Sequence, residues 1–258
     1  MRRLGQTEKK GLSKLHLLIW GLAFVLIGII SRSILQNGIL QMDALTGEAL
    51  LDKLSGSNNM MIIATVALVL QALETCAIPI LAFLLVNAFH KGKEGKKLFL
   101  CVLAMAAISE IPYNLAMYGK WIYTTTRNPA VTLVVGLVVL YFFRRLSENS
   151  FANVLIKTFV GLAAVLWTVM LNVEHGIAML VLIMVLWALR EKKTMRVLGG
   201  GAVAAICMMF SPMYLLSAVG IFPVHYFREE EEDVALEMGY YAIYPAMLAV
   251  FGIVSLFL

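Results

Sequence analysis

Charge is scarce in this sequence. Only 14% of its 258 residues are Asp, Glu, Lys or Arg, while 61% are hydrophobic. Soluble domains carry roughly 25% charged and about 45–50% apolar residues. With 21 basic and 16 acidic side chains, a globular domain of this length would leave apolar surface facing water, so a soluble enzyme is excluded. Mean hydropathy is +0.86. Cysteine is sparse too. Cys76, Cys101 and Cys207 fall inside apolar runs, match neither a zinc spacing nor a disulfide framework, and read as packing residues. No metal site is expected. The Gly-rich phosphate loop, the zinc-ligand pattern and the GxSxG elbow are all missing.

What remains is long runs of Leu, Ile, Val, Met and Ala. They do not alternate with polar residues, which excludes a transmembrane β-barrel. Lipid offers the backbone no hydrogen-bond partners, so the spanning elements must be helices. The expected fold class is all-α: a polytopic membrane helix bundle forming one integral membrane domain over residues 1–258. A crossing needs about 20 apolar residues. On that basis we read about nine transmembrane segments, at 15–35, 62–90, 98–118, 129–143, 152–171, 173–189, 197–210, 213–227 and 239–257. The segments 197–210 and 213–227 meet at Ser211-Pro212 and can also be read as one broken helix. Pro79 removes a ladder bond from the long second segment and predicts a kink there.

The loops give an orientation. Cytoplasmic loops carry excess Lys and Arg. The N-terminal tail and loops 91–97, 144–151, 190–196 and 228–238 hold 16 of the 21 basic residues, against Lys53, Lys120 and Arg127 in the alternate loops. The N-terminus is therefore expected in the cytoplasm and the C-terminus outside. The net charge of +5 belongs to these loops, so membrane lipid is the expected surroundings and no nucleic acid partner is expected. The first segment has no small-residue cleavage site after it, and is expected to be a retained span.

Ionisable groups inside apolar runs are expensive and mark candidate sites. Glu110 lies in Ser109-Glu110-Ile111-Pro112-Tyr113-Asn114, where Pro112 frees a carbonyl one turn back and irregular backbone is expected. Ser109, Glu110 and Asn114 form either a polar pocket or a structural bond between helices. Gln71, Glu74 and Thr75 share a helix face at i, i+3 and i+4. They line a site, or form a polar stripe against a neighbour. Glu174 and His175 place a carboxylate beside an imidazole in a short turn, suited to acid–base work or simply solvated. His90 and His225 lie at the cytoplasmic end, and His16 reads as an interface anchor. Lys157, and Arg32 near a span end, are expected to reach the membrane surface by extending their stems. Glu229 to Asp233 reads as a solvated acidic run.

A family resemblance rests on the order of several motifs. Ala77–Leu85 (AIPILAFLL) precedes Phe89-His90 and a basic loop; Ser109–Leu115 (SEIPYNL) follows, then Thr132–Leu137 (TLVVGL). Further on come Glu174-His175-Gly176, a short helix with Arg190, and Tyr241–Leu248 (YAIYPAML). This series resembles the TraX family, bacterial membrane proteins named for the F-pilin N-acetylase. The resemblance implies an acyltransferase that uses cytoplasmic acetyl-CoA on an amine or hydroxyl acceptor, a protein or a glycan. For that chemistry the polar residues singled out above supply the candidates: His90, the remaining imidazole at the cytoplasmic face, and Glu110 as catalytic residues, with Ser109, Asn114, Glu74, Glu174 and His175 binding substrate. Three family features are replaced: the first segment lacks an Asp-His pair, Glu74-Thr75-Cys76 stands where the family has an arginine, and Met247 stands for a histidine. A non-catalytic relative acting as a membrane scaffold or assembly partner is the alternative, and a small-molecule transporter a third reading.

Overall fold

The computed structural model describes residues 11–42, 45, 47–92, 95–146, 148, 150–228 and 234–257, with side chains in the last helix from Tyr241 onward. Arg2, Arg3, Lys9, Lys10, Lys93 and the acidic run 229–233 lie outside the described residues. Among the described residues the chain is helical and contains no strand. The elements in order are α1 (Lys14–Ile30), a π-helix (Ser31–Ile39), α2 (Gly47–Ser55), α3 (Asn58–Glu74), α4 (Ala77–Lys91) and α5 (Gly95–Tyr118). Then come α6 (Ala130–Arg145), α7 (Phe151–Met170), α8 (Gly176–Ala188), α9 (Lys193–Cys207), a 3-10 helix (Pro212–Ala218), α10 (Ile221–His225) and α11 (Val234–Ser255).

Local chemistry sets several of these boundaries. Ser13 and Ser150 stand at the N-caps of α1 and α7, their hydroxyls accepting from the His16 and Asn153 amides. Pro79 has no N–H to give the Thr75 carbonyl, and the ladder stops one turn before the proline, between Glu74 and Ala77. The second segment is therefore two helices, with its break nearer the N-terminus than Pro79 itself. The break is held from outside. Thr75 Oγ1 donates to the Met213 carbonyl at 3.1 Å, and Cys76 Sγ lies 3.1 Å from the Leu216 carbonyl. Gly220 is pressed on the same place: a Cβ there would stand 2.2 Å from the Cys76 oxygen. Pro112, by contrast, sits inside a continuous α5, so the irregular backbone expected around it is not found.

Among the described residues, four helical stretches are long and apolar enough to cross a membrane by length and composition: Lys14–Ile39, Asn58–Lys91, Gly95–Tyr118 and Phe151–Met170. Gly176–Ala188, Pro212–His225 and Tyr241–Ser255 are shorter apolar stretches. The all-α helical bundle is as expected, and among the described residues four of its stretches have the length and composition of a span. Segment 213–227 is a 3-10 helix followed by the short α10, with Ser211 accepting from the Met213 amide at its start. α7 turns Phe159, Leu162, Leu166 and Trp167 outward, each more than half exposed, an apolar face of the kind that meets lipid.

The basic loops collect at one end. Arg144 lies over the Phe89 ring, Arg190 over Trp187 and Arg196 over Phe83. Phe83 in turn meets Phe227, whose neighbours Tyr226 and Arg228 exchange backbone hydrogen bonds with Leu12. α11 packs along α5 and reaches α1, so both flank the core built on α4 and α8.

Candidate functional site

An apolar cleft runs through the core between α1, α4, α5 and α11. It holds about 1140 Å³ of space between atoms, open mouth included. Leu18, Leu22, Val25 and Ile29 of α1 face Ala77, Leu81, Leu85 and Ala88 of α4 across it. Its polar residues sit at the two ends. Lys14 marks the basic end; Glu74, Tyr113, Glu174 and His175 mark the other.

The second end is assembled from distant parts of the chain. Arg32, from the first turn of the π-helix, places Nη1 3.6 Å from Glu174 Oε1. Tyr113, fully buried on α5, donates its hydroxyl to Glu174 Oε2. Arg32 also lies over the Tyr118 ring, 5.3 Å from its centroid. Glu74, the last residue of α3, turns its carboxyl onto α1 at Gly28. A Cβ at Gly28 would stand 2.0 Å from the Glu74 carboxyl carbon, so only glycine leaves this niche open. Glu74 and Glu174 thus both line the cleft, and the Arg32 guanidinium is paired with Glu174.

His175 is fixed by backbone and side chain together. Its φ is 56°, in the left-handed region, as is that of Asn172 at 48°. A non-glycine residue there costs of order 1–3 kcal/mol and persists only where its surroundings enforce it. They do so here: the Arg127 amide donates to the Asn172 carbonyl, and the Glu174 amide donates to the Arg127 carbonyl, both at 3.0 Å. His175 Nδ1 shares a 2.9 Å hydrogen bond with the Tyr214 hydroxyl, and Nε2 is buried without a hydrogen-bond partner. His175 is among the residues that line the cleft, and Nε2 is its unbonded ring nitrogen.

A second polar group lies behind the first. Ser109 and Asn128 are fully buried; Asn128 Nδ2 donates to Ser109 Oγ at 2.7 Å, and Tyr244 donates to Asn128 Oδ1 at 2.8 Å. Glu110 Oε1 pairs with Arg127 at 3.2 Å, while its Oε2 makes no hydrogen bond. Asn114 is buried with Oδ1 unbonded. These residues tie α5 to the loop before α6 and to α11, and none but Tyr244 lines the cleft. His90 is elsewhere. It is exposed at the basic end, edge-on to Trp187 with 5.9 Å between ring centroids. His225 also sits at that end, against Tyr226.

Of the residues singled out in the sequence, Glu74, Glu174 and His175 are therefore brought together. Ser109 and Glu110 belong to the structural group behind them, and His90 joins neither. Gln71 and Thr75 do not share the niche with Glu74: Gln71 accepts from Gln36, and Thr75 caps the helix break. Arg32 does not extend to the surface but pairs inward with Glu174. Sequence reading also passed over Gly28, Tyr113 and Tyr214. The one available signal was Arg32 itself, since an arginine within an apolar run needs a carboxyl partner. Met247, in place of the family histidine, packs with the buried group around Val25, Ile29 and Tyr113.

A helical bundle with lipid-facing apolar helices and a buried carboxyl, guanidinium and imidazole cluster at one end of an apolar cleft is a polytopic membrane protein with an internal site. More narrowly, the chain belongs to the TraX family: that family's model, described as TraX protein, matches residues 50–255. The match takes in Glu74, Tyr113, Glu174 and His175, whereas Gly28 and Arg32 lie before it. No curated protein and no solved structure matches the chain.

Proposed function

We propose that this TraX protein is an acyltransferase of the bacterial inner membrane, its N-terminus cytoplasmic and its C-terminus external, that acylates an amine or hydroxyl acceptor. The observation that carries the reading is His175, a residue lining the cleft whose Nε2 is buried without a hydrogen bond. With Nδ1 held by Tyr214, Nε2 would take the acceptor's proton as the acceptor's nitrogen or oxygen attacks the acyl carbonyl of a bound donor, and would return it to the leaving group as the donor's acyl bond breaks. A positioned base of this kind contributes about 10²–10⁴-fold to rate. Arg32 acts as a positioning residue: its guanidinium, paired with Glu174 and lying over Tyr118, fixes the carboxyl next to His175. His175 replaces His90 in this role, because His90 is exposed at the opposite end of the cleft.

Acetyl-CoA, the donor that the family resemblance implies, would supply an activated thioester. Arg144, Arg190 and Arg196 at the basic end, with Lys14 at the cleft mouth, suit its phosphates. The cleft walls do not suit its arm, because between Lys14 and Glu74 they present hydrocarbon to the arm's amide groups, and an unpaired amide in apolar surroundings is costly.

The test is transfer by the purified full-length protein in lipid nanodiscs, with acetyl-CoA and a panel of amine and hydroxyl acceptors, followed by release of free thiol. Transfer is expected to fall by about 10²–10⁴-fold in His175→Ala and to persist in His90→Ala. Loss in His90→Ala with His175→Ala unaffected overturns the assignment. No transfer with any acceptor, together with no binding of acetyl-CoA, identifies a non-catalytic scaffold or assembly partner.

A further inference from the structure

The mismatch between the cleft walls and a polar arm points to a different occupant. We infer that the cleft is a binding site for a single-chain membrane amphiphile, its hydrocarbon tail along α1 and α4 and its amine- or hydroxyl-bearing head at Glu74, Glu174 and His175. Length supports this. Lys14 to Ile29 is 16 residues of helix, about 22 Å from first to last at 1.5 Å rise per residue, against a hydrocarbon core of roughly 30 Å. The middle of the cleft is built from Leu18, Leu22, Val25, Leu81 and Leu85, side chains that gain nothing from a polar ligand and gain dispersion and desolvation from a hydrocarbon one.

The head is defined by the end group. Glu74, Glu174 and His175 line this end of the space, and the His175 ring keeps one unbonded nitrogen. The guanidinium that could receive an anion is already engaged by Glu174 and lies over Tyr118. Such an end accepts hydrogen bonds from an ammonium or a hydroxyl, and repels a phosphate set against its carboxyls. Gly28 is part of the device. By leaving room for the Glu74 carboxyl on the α1 side, it lets a charged-type side chain occupy the interior without blocking the tail path. This site is independent of whether acyl transfer occurs there; if it does, the amphiphile is the acceptor and His175 meets its head.

The experiment is photocrosslinking in nanodiscs of the full-length protein. Octadecylamine carrying a diazirine in its chain is irradiated with the protein, and the labelled residues are mapped by peptide mass spectrometry. Labelling of Leu22 and Leu81 is expected, falling about tenfold, equivalent to 1.4 kcal/mol, in Leu81→Trp and in Leu22→Trp, both of which fill the cleft. Phe159 on the outward face of α7 serves as the internal control and keeps its label in both. Unlabelled octadecylamine and octadecanol should compete, and octadecyl phosphate should not. Competition by geranylgeraniol in place of octadecanol assigns the tail to an isoprenoid rather than a straight acyl chain. Either filling variant that melts like the wild type is sufficient, and Leu81→Ile should keep the label. Labelling confined to α7, cleft labelling unchanged by both tryptophans, or displacement by octadecyl phosphate as readily as by the amine overturns the inference. Because the readout is binding, a protein that binds the amine but transfers no acyl group disproves the proposed reaction and leaves this site standing.

Discussion

Arg32 and Glu174 meet inside the bundle, guanidinium nitrogen to carboxylate oxygen at 3.6 Å, although one comes from the first helical stretch and the other from the turn before α8. The pair fastens the wall of the cleft to its polar end. Arg32→Ala leaves Glu174 with Tyr113 alone, and should destabilise the protein. The loss should be smaller than the roughly 3–5 kcal/mol of a fully buried pair, since Arg32 is 24% and Glu174 16% exposed. Replacing both, as Arg32→Met with Glu174→Leu, should recover most of it. Thermal unfolding of the three variants in nanodiscs checks this, and equal losses in the single and double variants would count against the pair.

Gly28 and Glu74 should be coupled more sharply. Gly28→Ala puts a carbon where the Glu74 carboxyl now lies, an overpacking change that typically costs about 1–3 kcal/mol. Glu74→Ala in the same chain removes the obstacle. The double variant should be more stable than Gly28→Ala alone, with a coupling of roughly 0.5–3 kcal/mol. Additive losses in a double-mutant cycle would show that the niche is not where the strain falls.

Glu110 should prove structural. It pairs with Arg127, itself 38% exposed and able to turn to water. Glu110→Gln keeps a hydrogen-bond acceptor for that guanidinium, and should change stability by about 1 kcal/mol or less while leaving crosslinking in the cleft intact. Loss of cleft labelling in a well-folded Glu110→Gln protein would move the site toward Glu110.

The orientation has its own test. Lys193 starts α9 beside the basic contacts, and Asn58 starts α3; both are exposed. Introduced one at a time into a cysteine-free background, cysteines at Lys193 and Asn58 should differ toward an impermeant thiol reagent. Asn58 should label from outside intact cells, and Lys193 only after permeabilisation. The reverse pattern would invert the topology.

How far the sequence led depends on the kind of signal. Apolar runs and basic loops located the helices, because hydropathy and the absence of backbone partners in lipid act over whole segments. They did not reveal that one proline in an apolar run differs from another: nothing in the local sequence separates Pro79, which ends a helix, from Pro112, which does not. The difference lies in Met213 and Leu216, whose carbonyls accept from the Thr75 and Cys76 side chains at the first break, and in Gly220, packed against the Cys76 carbonyl. Glu174 and His175 were visible as a pair, since they are adjacent. Their partners were not, because Arg32, Tyr113 and Tyr214 reach them only through the folding of four separate elements. Glu110 stood out in sequence for the same reason as Glu74, and only contact with Arg127 rather than the cleft tells them apart.

The backbone clasp between Leu12 and residues 226–228 sets an order of events during synthesis. At about 5–20 residues per second, the ribosome needs roughly 10–40 s to travel from one side of the clasp to the other. α1 is made first but waits through that interval for its last partner, and the wall that Tyr241 and Tyr244 add to the cleft arrives later still. Until then Glu74 and Glu174 have no α11 beside them and their chamber stands unroofed. Premature termination before α11 therefore yields a chain with an exposed acidic interior, the kind of polar defect by which membrane quality control singles out an unfinished protein.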